Sequence, residues 1–338
     1  MCAYGRSQQF FFKSKCCEVI YQQDPPTDDH VFFIVDRNVA WSRNSTLFLS
    51  AGEHIKHFSC LKEILNYLYV KEADRGTILC VVGGGSLCDI GAFAASIYLR
   101  GLSLMLVPTT LLAMVDAAIG GKTGINFKSG KNIIGSFYPA NKVYICMKFL
   151  DTLSDQEFKN GLAELIKTAM IGDAILFTIL RERIHDILHK DLNILLDIIQ
   201  RAITVKGKIV EQDLYESEGV REHLNLGHTF AHALESVSDF SYSHGDAVAW
   251  GINAALHVGR YLGISDATYA CEVQELLSSY GYRLKVPYKP ELLVNAMRYD
   301  KKRTRDHLRF VLQENAQRTI VQSVDRRCIR EVLEYLVL

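Results

Sequence analysis

The chain has 338 residues, 49% of them hydrophobic and 22% charged, which is about two domains of roughly 150 residues with ordinary cores. Lys plus Arg and Asp plus Glu each number 38, and a net charge of zero argues against a nucleic-acid partner, which needs a basic excess or stripe. Six prolines, 23 glycines and no low-complexity tract exclude a disordered or fibrous chain.

Met1–Cys17 lacks a cationic stretch followed by an apolar one, so no signal peptide is expected. Val31-Phe32-Phe33-Ile34-Val35 reads as a buried strand. Glu53–Val70 carries helical spacing of Ile55, Phe58, Leu61, Ile64, Leu65 and Leu68. Thr77–Val82 is a second buried strand, broken by Gly83-Gly84-Gly85; Asp89–Leu99 follows as a small-residue helix and Leu104–Val107 as a third strand. This alternation predicts a Rossmann-like parallel-sheet α/β domain over residues 1–150. Residues 151–338 predict a mainly α-helical domain, with period 3.6 over Gly161–Met170, Ala174–His185, Leu192–Val210, Thr229–Ser236, Ala247–Leu262 and Cys271–Tyr280 and a late strand near Leu308–Leu312. The longest uncharged apolar stretch, Gly101–Val115, is too short to span a bilayer. With no spanning stretch, no membrane partner is expected; nine cysteines form no CxxC pair and several lie in apolar runs, so they read as reduced thiols of a cytoplasmic protein.

Three segments carry chemistry. The Gly83-Gly84-Gly85-Ser86-Leu87-Cys88-Asp89 turn joins a strand to a helix, where glycines let backbone approach a pyrophosphate and the helix N-terminus supplies N–H groups. It departs from GxGxxG, and a plain tight turn is the bland alternative. Between Asp116 and Asp151 there is no acidic residue, but lysines 122, 128, 131, 142 and 148 interleave with glycines 120, 121, 124, 130 and 135. With Ile119, Ile125, Ile133, Ile134 and Phe137 among them, this segment reads as a buried or cleft anion site rather than a solvated loop. The third segment is His228-Thr229-Phe230-Ala231-His232, which puts two imidazoles on one helix face, with Arg221 and Asn225 upstream and His244 downstream. An HxxxH pair with a distant carboxylate suits Zn²⁺, and Glu164, sharing a face with Lys167, is the candidate; the alternative for each His is a structural role.

Together these residues resemble the 3-dehydroquinate synthase family from about Asp36 to Leu312. The carrying blocks are Tyr98–Gly101, Val107–Ala113, Gly120–Asn126, Gly130–Asn132, Gly161–Glu164 and Leu224–Thr229. The resemblance implies a metal, Zn²⁺ or Co²⁺, on Glu164, His228 and His244, which moves His232 to a substrate contact. It implies NAD on Glu53, Lys56, the turn Gly85, Ser86, Leu87, Cys88 and Asp89, on Thr109, Thr110, Lys122 and Lys131, and on the segment from Phe149 to Thr152. It implies a sugar phosphate pocket of Asp116, Lys122, Asn132, Lys167, Lys206, Arg221, Asn225, His232 and Lys301 or Lys302. Arg100 would reach a neighbouring subunit, which implies a homodimer. The implied reaction converts 3-deoxy-D-arabino-heptulosonate 7-phosphate to 3-dehydroquinate by transient oxidation, phosphate elimination, re-reduction, ring opening and aldol closure. Cys88 stands where the family has glycine. The Lys206–Arg221 interval is one residue longer than its pattern, which makes Lys208 a rival, and the Asp36–Gly52 segment is short. Other sugar phosphate cyclases, a polyol dehydrogenase and an inactive NAD-binding protein are the alternative readings.

Overall fold

The computed structural model describes residues 5–22, 24–26, 30–128, 130–297 and 307–338. Two compact units divide it: one runs through Phe158 and regains Lys206–Ser217, and the other holds Lys159–Val205 and Glu218–Leu338.

In the first unit, β1 (Ser7–Phe12), β2 (Lys15–Gln22), β3 (Val31–Asp36), β4 (Thr46–Leu49), β5 (Ile78–Gly83), β6 (Ser103–Pro108) and β9 (Lys142–Cys146) form one sheet ordered β1-β2-β9-β6-β5-β3-β4. β1 pairs antiparallel with β2, and every other neighbouring pair is parallel. The central strands β3, β5 and β6 are almost wholly buried, which is why they read as unbroken apolar runs. Between them run α1 (Phe58–Val70), which buries Leu61, Ile64 and Leu68, and α2 (Gly85–Ile97). Their connections bring the carboxyl ends of β5 and β6 together, where Thr109 N–H donates to the Gly83 carbonyl at 3.0 Å. Ligands in open parallel sheets bind at these carboxyl ends.

The lysine- and glycine-rich segment expected as a buried or cleft anion site contains a two-stranded antiparallel hairpin, β7 (Lys122–Phe127) and β8 (Gly130–Phe137). Its glycines admit close backbones: a Cβ on Gly135 would stand 1.9 Å from the Thr123 carbonyl oxygen. Ile119 and Ile125 are buried, but Phe127, Ile133 and Phe137 are exposed. The apolar neighbours therefore do not bury this segment, correcting the inference drawn from them. The alternating hairpin β1–β2, which turns Phe10 and Phe12 inward, and the short β4 were likewise not expected. Phe10 packs on Gly207, where a Cβ would meet the ring at 2.1 Å, and this contact ties Lys206–Ser217 to the first unit.

The helices that follow are α3 (Asp155–Gly172), α4 (Ala174–Glu182), α5 (Ile184–Leu188), α6 (Leu192–Gln212), α7 (His228–Val237), α8 (His244–Tyr261), α9 (Ala267–Ser279), α10 (Pro290–Ala296) and α11 (Arg326–Glu334). In the second unit β10 (His307–Asn315) and β11 (Arg318–Asp325) form an antiparallel hairpin. Helix α8 is buried at almost every position from Gly245 to Gly259 and is the axis of this unit's core. Phe230 of α7 meets Trp250 edge-on at 6.3 Å and stacks on Phe310 of β10 at 4.7 Å. Helices α7 and α8 cross through glycines: a Cβ on Gly251 would lie 2.2 Å from the Gly227 carbonyl oxygen. Gly227 holds φ +79°, the left-handed conformation that starts α7.

Candidate metal centre and cofactor face

Three elements of the second unit deliver one cluster. The small, apolar face of α3 buries Glu164 and Lys167 one turn apart, at 1% and 2% exposure. Gly227 starts α7 so that His228 is its first residue. Ser243 caps α8 by accepting the Asp246 N–H at 3.2 Å, which makes His244 the first residue there. His228 Nε2 and His244 Nε2 lie 3.3 and 3.1 Å from the same oxygen, Glu164 Oε1, and Lys167 Nζ lies 2.5 Å from Oε2. Among the described residues, Glu164, His228 and His244 form the one group of this kind, their ligand atoms within 4.8 Å of one another.

This donor set fits a divalent cation. His228 Nδ1 lies 3.2 Å from the Leu226 carbonyl and His244 Nδ1 3.2 Å from Glu235 Oε1, so both Nδ1 atoms act as donors. Both Nε2 atoms are then acceptors in the neutral rings, and they face a carboxylate oxygen that only accepts. Such an arrangement calls for a cation, either an added proton or a metal. Burial penalises the Glu164 carboxylate, but Lys167 and the two imidazoles outweigh it and hold the carboxyl well below the usual range. Burial also disfavours a charged His244, but hydrogen bonds to Glu164 and Glu235 lift its pKa to about 10.

His232 does not join this group: it is exposed, its ring 5.6 Å from that of His228. The HxxxH spacing thus pairs the wrong two histidines. Glu235 was not singled out from the sequence, although it lies on the His228 face of α7, seven residues on, which is nearly two turns. Arg221, at 2% exposure, and Asn225 bound the short 3₁₀ turn just before α7. Lys301 and Lys302 lie outside the described residues.

The first unit gathers its own set at the carboxyl ends of β5 and β6. The Gly83–Gly85 turn opens α2, and a Cβ on Gly84 would stand 3.3 Å from Thr110 Cγ2. Glu53 Oε1 accepts from Asn126 Nδ2 at 2.7 Å and lies 3.4 Å from Ser86 through Oε2. Asn126 Oδ1 in turn accepts the Asn132 N–H at 2.9 Å. Lys56, 3% exposed, donates to Asp89 Oδ2 at 2.7 Å. Burial raises the Asp89 carboxyl even so, with Lys56 pulling the other way. Lys206 Nζ is bonded to Asp116 Oδ1 at 2.5 Å while Lys208 is exposed, and Lys122 is ion-paired with Glu216. Cys88 and Leu87 are buried beneath the turn, with Cys88 Sγ 3.6 Å from the Gly83 carbonyl, so the thiol leaves the turn's outer face intact. Lys131 and Arg100 are exposed; Leu99 and Arg100 have φ of 48° and 67°. Phe149 is buried, and Thr152 donates to its carbonyl. No described helix is long and apolar enough to cross a membrane.

The fold is that of the sugar phosphate cyclases. A crystal structure of 2-deoxy-scyllo-inosose synthase, complexed with carbaglucose-6-phosphate, NAD⁺ and Co²⁺, matches with TM-score 0.84 and 23% identity over 98% of this chain and 100% of that one. The 2-epi-5-epi-valiolone synthase of Streptomyces hygroscopicus subsp. jinggangensis 5008, with NAD⁺ and Zn²⁺ bound, matches with TM-score 0.84 and 24% identity over 94% and 96% of the two chains. Within that fold, the chain belongs to the 3-dehydroquinate synthase family, whose N-terminal model matches residues 46–160 and whose C-terminal model matches residues 161–303. The 3-dehydroquinate synthase of Dictyoglomus turgidum is 38% identical over 89% of this chain and 85% of its own. That of Campylobacter jejuni subsp. jejuni serotype O:6 is 42% identical over 79% and 78%.

Proposed function

We propose that this chain catalyses the 3-dehydroquinate synthase reaction, converting 3-deoxy-D-arabino-heptulosonate 7-phosphate to 3-dehydroquinate and phosphate. The observation that carries the reading is the convergence of Glu164, His228 and His244, with Lys167 buried beside them, in a chain of that family. When bound, NAD supplies a hydride acceptor that is restored within one turnover, and a Zn²⁺ or Co²⁺ ion supplies a Lewis acid. The relatives in this fold that carry NAD⁺ with Co²⁺ or Zn²⁺ support that pairing.

In this reading Glu53, Lys56, the Gly85–Asp89 turn, Thr109, Thr110, Lys131 and the segment from Phe149 to Thr152 hold the dinucleotide. The planar fork of Arg221 suits the substrate carboxylate, while compact ammonium groups of Lys122 and Lys206 suit phosphate. Asp116 holds the Lys206 ammonium in place, and Asn132 and Asn225 orient hydroxyls. Lys167 keeps Glu164 ionised, and the exposed His232 takes up or releases a proton at the substrate. Lys301 or Lys302 would complete the pocket. Arg100 belongs to a homodimer contact in this reading, and the location is the cytoplasm.

The test follows phosphate release from the heptulosonate phosphate with trace NAD and added Zn²⁺ or Co²⁺, reading NADH absorbance in the same cuvette. Many phosphates per NAD without accumulating NADH are expected. Phosphate silence with NADH formed on polyols would move the chain to the dehydrogenases. Silence in both would point to another sugar phosphate.

A further inference from the structure

We propose that Glu235 is a positioning residue of the metal centre, receiving the Nδ1 proton of His244 and locking that imidazole with Nε2 directed at the ion. The inference rests on the reading of Glu164, His228 and His244 as metal ligands.

The geometry is specific. Glu235 Oε1 lies 3.2 Å from His244 Nδ1, while the other ring nitrogen is 3.1 Å from Glu164 Oε1. One imidazole thus bridges two carboxylates, one through each nitrogen, and an ionised carboxylate can only accept. With Nε2 and Glu164 as ligands of one ion, the ring's remaining N–H is on Nδ1 and is donated to Glu235. His228 has the same arrangement with a weaker partner, the Leu226 carbonyl, which lies 3.2 Å from Nδ1. Both histidines begin a helix, but the His244 ring is 30% exposed against 15% for His228, so the less enclosed ring is the one held by a carboxylate. Glu235 is 6% exposed, and a carboxylate so buried is retained only with a charge or strong donor beside it. Helix α7 thus presents a ligand from its first residue, and from the same face two turns on it presents the group that orients a ligand of the next helix. A carboxylate behind a metal-bound imidazole raises its basicity and fixes its tautomer, and losing such a partner costs about 10–100-fold in metal affinity.

The experiment uses the full chain stripped of metal. Zn²⁺ affinity is measured by competition with a chromophoric chelator, and Co²⁺ is added separately to read its visible absorption. The chains are the parent, Glu235→Gln, Glu235→Ala and His228→Ala. The proposal expects one ion per parent chain and none tightly held by His228→Ala. It expects about 10–100-fold weaker Zn²⁺ binding by Glu235→Ala, with a changed Co²⁺ spectrum. Glu235→Gln keeps an accepting oxygen without the charge, so its loss should be smaller; it also keeps the shape of the buried side chain, so it reports even where the alanine variant unfolds. Parent-like Zn²⁺ affinity and Co²⁺ spectrum in Glu235→Gln and Glu235→Ala, with His228→Ala still defective, overturn the role of Glu235 alone. A parent chain that takes up no metal overturns the ligand set, and the proposal with it.

Discussion

Replacing Gly251 by alanine tests how the second unit positions His228 and His244, ligands of the proposed metal centre. Gly251 of α8 faces Gly227 at the start of α7, and an added Cβ would stand 2.2 Å from the Gly227 carbonyl oxygen, 3.0 Å from Ala231 N and 3.1 Å from Gly227 C. The obstacle is backbone, and the oxygen struck is the one that accepts the Ala231 N–H at 3.0 Å. No rotamer change relieves it, so the helices must part by about 0.8 Å to bring that contact to the 3.0 Å floor of real Cβ contacts. Overpacking of this kind costs about 1–3 kcal/mol, and contact with backbone places it near the top. The gain from alanine in a helix offsets about 1 kcal/mol of it. The net loss is about 2 kcal/mol, a fall of about 4–8 °C in the midpoint at about 2–4 °C per kcal/mol. His228 follows Gly227 directly and His244 lies two turns before Gly251, so the parting acts on the distance between two ligands. Metal–ligand distances tolerate about 0.2 Å, so Zn²⁺ affinity should fall by about tenfold or more. Thermal unfolding of the metal-free chain and chelator competition measure the two effects. A variant with parent midpoint and parent affinity would refute the claim that this crossing sets the ligand spacing.

Other substitutions reach the remaining groups. Glu164→Gln leaves Lys167 buried without its counter-charge, at a cost of about 3–5 kcal/mol in chemical denaturation of the metal-free chain; His228→Ala, whose ring is 15% exposed, should cost clearly less. The depressed Glu164 carboxyl contributes stability that is complete above pH 4.5 and is lost as pH falls through its lower folded value. Glu164→Gln should therefore flatten the stability profile below pH 4.5, and an unchanged acid limb would contradict the assignment. Lys206→Ala should abolish phosphate release and Lys208→Ala should leave it; the reverse result would exchange their roles. Cys16 and Cys271 are exposed, whereas burial raises the Cys88 thiol far out of the reactive range, so iodoacetamide should label the first two in the native chain and Cys88 only after unfolding, as read by peptide mass.

Buried parallel strands announce themselves as apolar runs, and Val31–Val35, Thr77–Val82 and Leu104–Val107 all appear as strands of the sheet within a residue or two. Helix α2 begins at Gly85 rather than Asp89, because the glycine turn itself forms the first helical residues. The hairpin β7–β8 escaped notice because its glycines erase the alternation that marks a strand, and those glycines are there because two backbones approach too closely for a Cβ. Helix α8 starts three residues earlier than its apolar spacing suggests; the signal was Ser243 with Asp246 three residues on, a capping pair that also fixes where His244 stands.

Sequence by itself determined the local order of this protein: neutral charge, a strand–helix alternation, a glycine turn opening a helix, and helical stripes in the second half. By resemblance it also named Glu164, His228 and His244, the three that converge in the fold. Spacing alone chose His232 beside His228, because periodicity records which residues share a helix face and says nothing of what that face meets. Tertiary structure decided otherwise, bringing His244 to a carboxylate 80 residues away through a crossing of two helices at paired glycines. Glu235 became meaningful only there, since its partner belongs to another helix. A side chain's chemistry is set by what packs against it, and at long separation only the folded chain determines that.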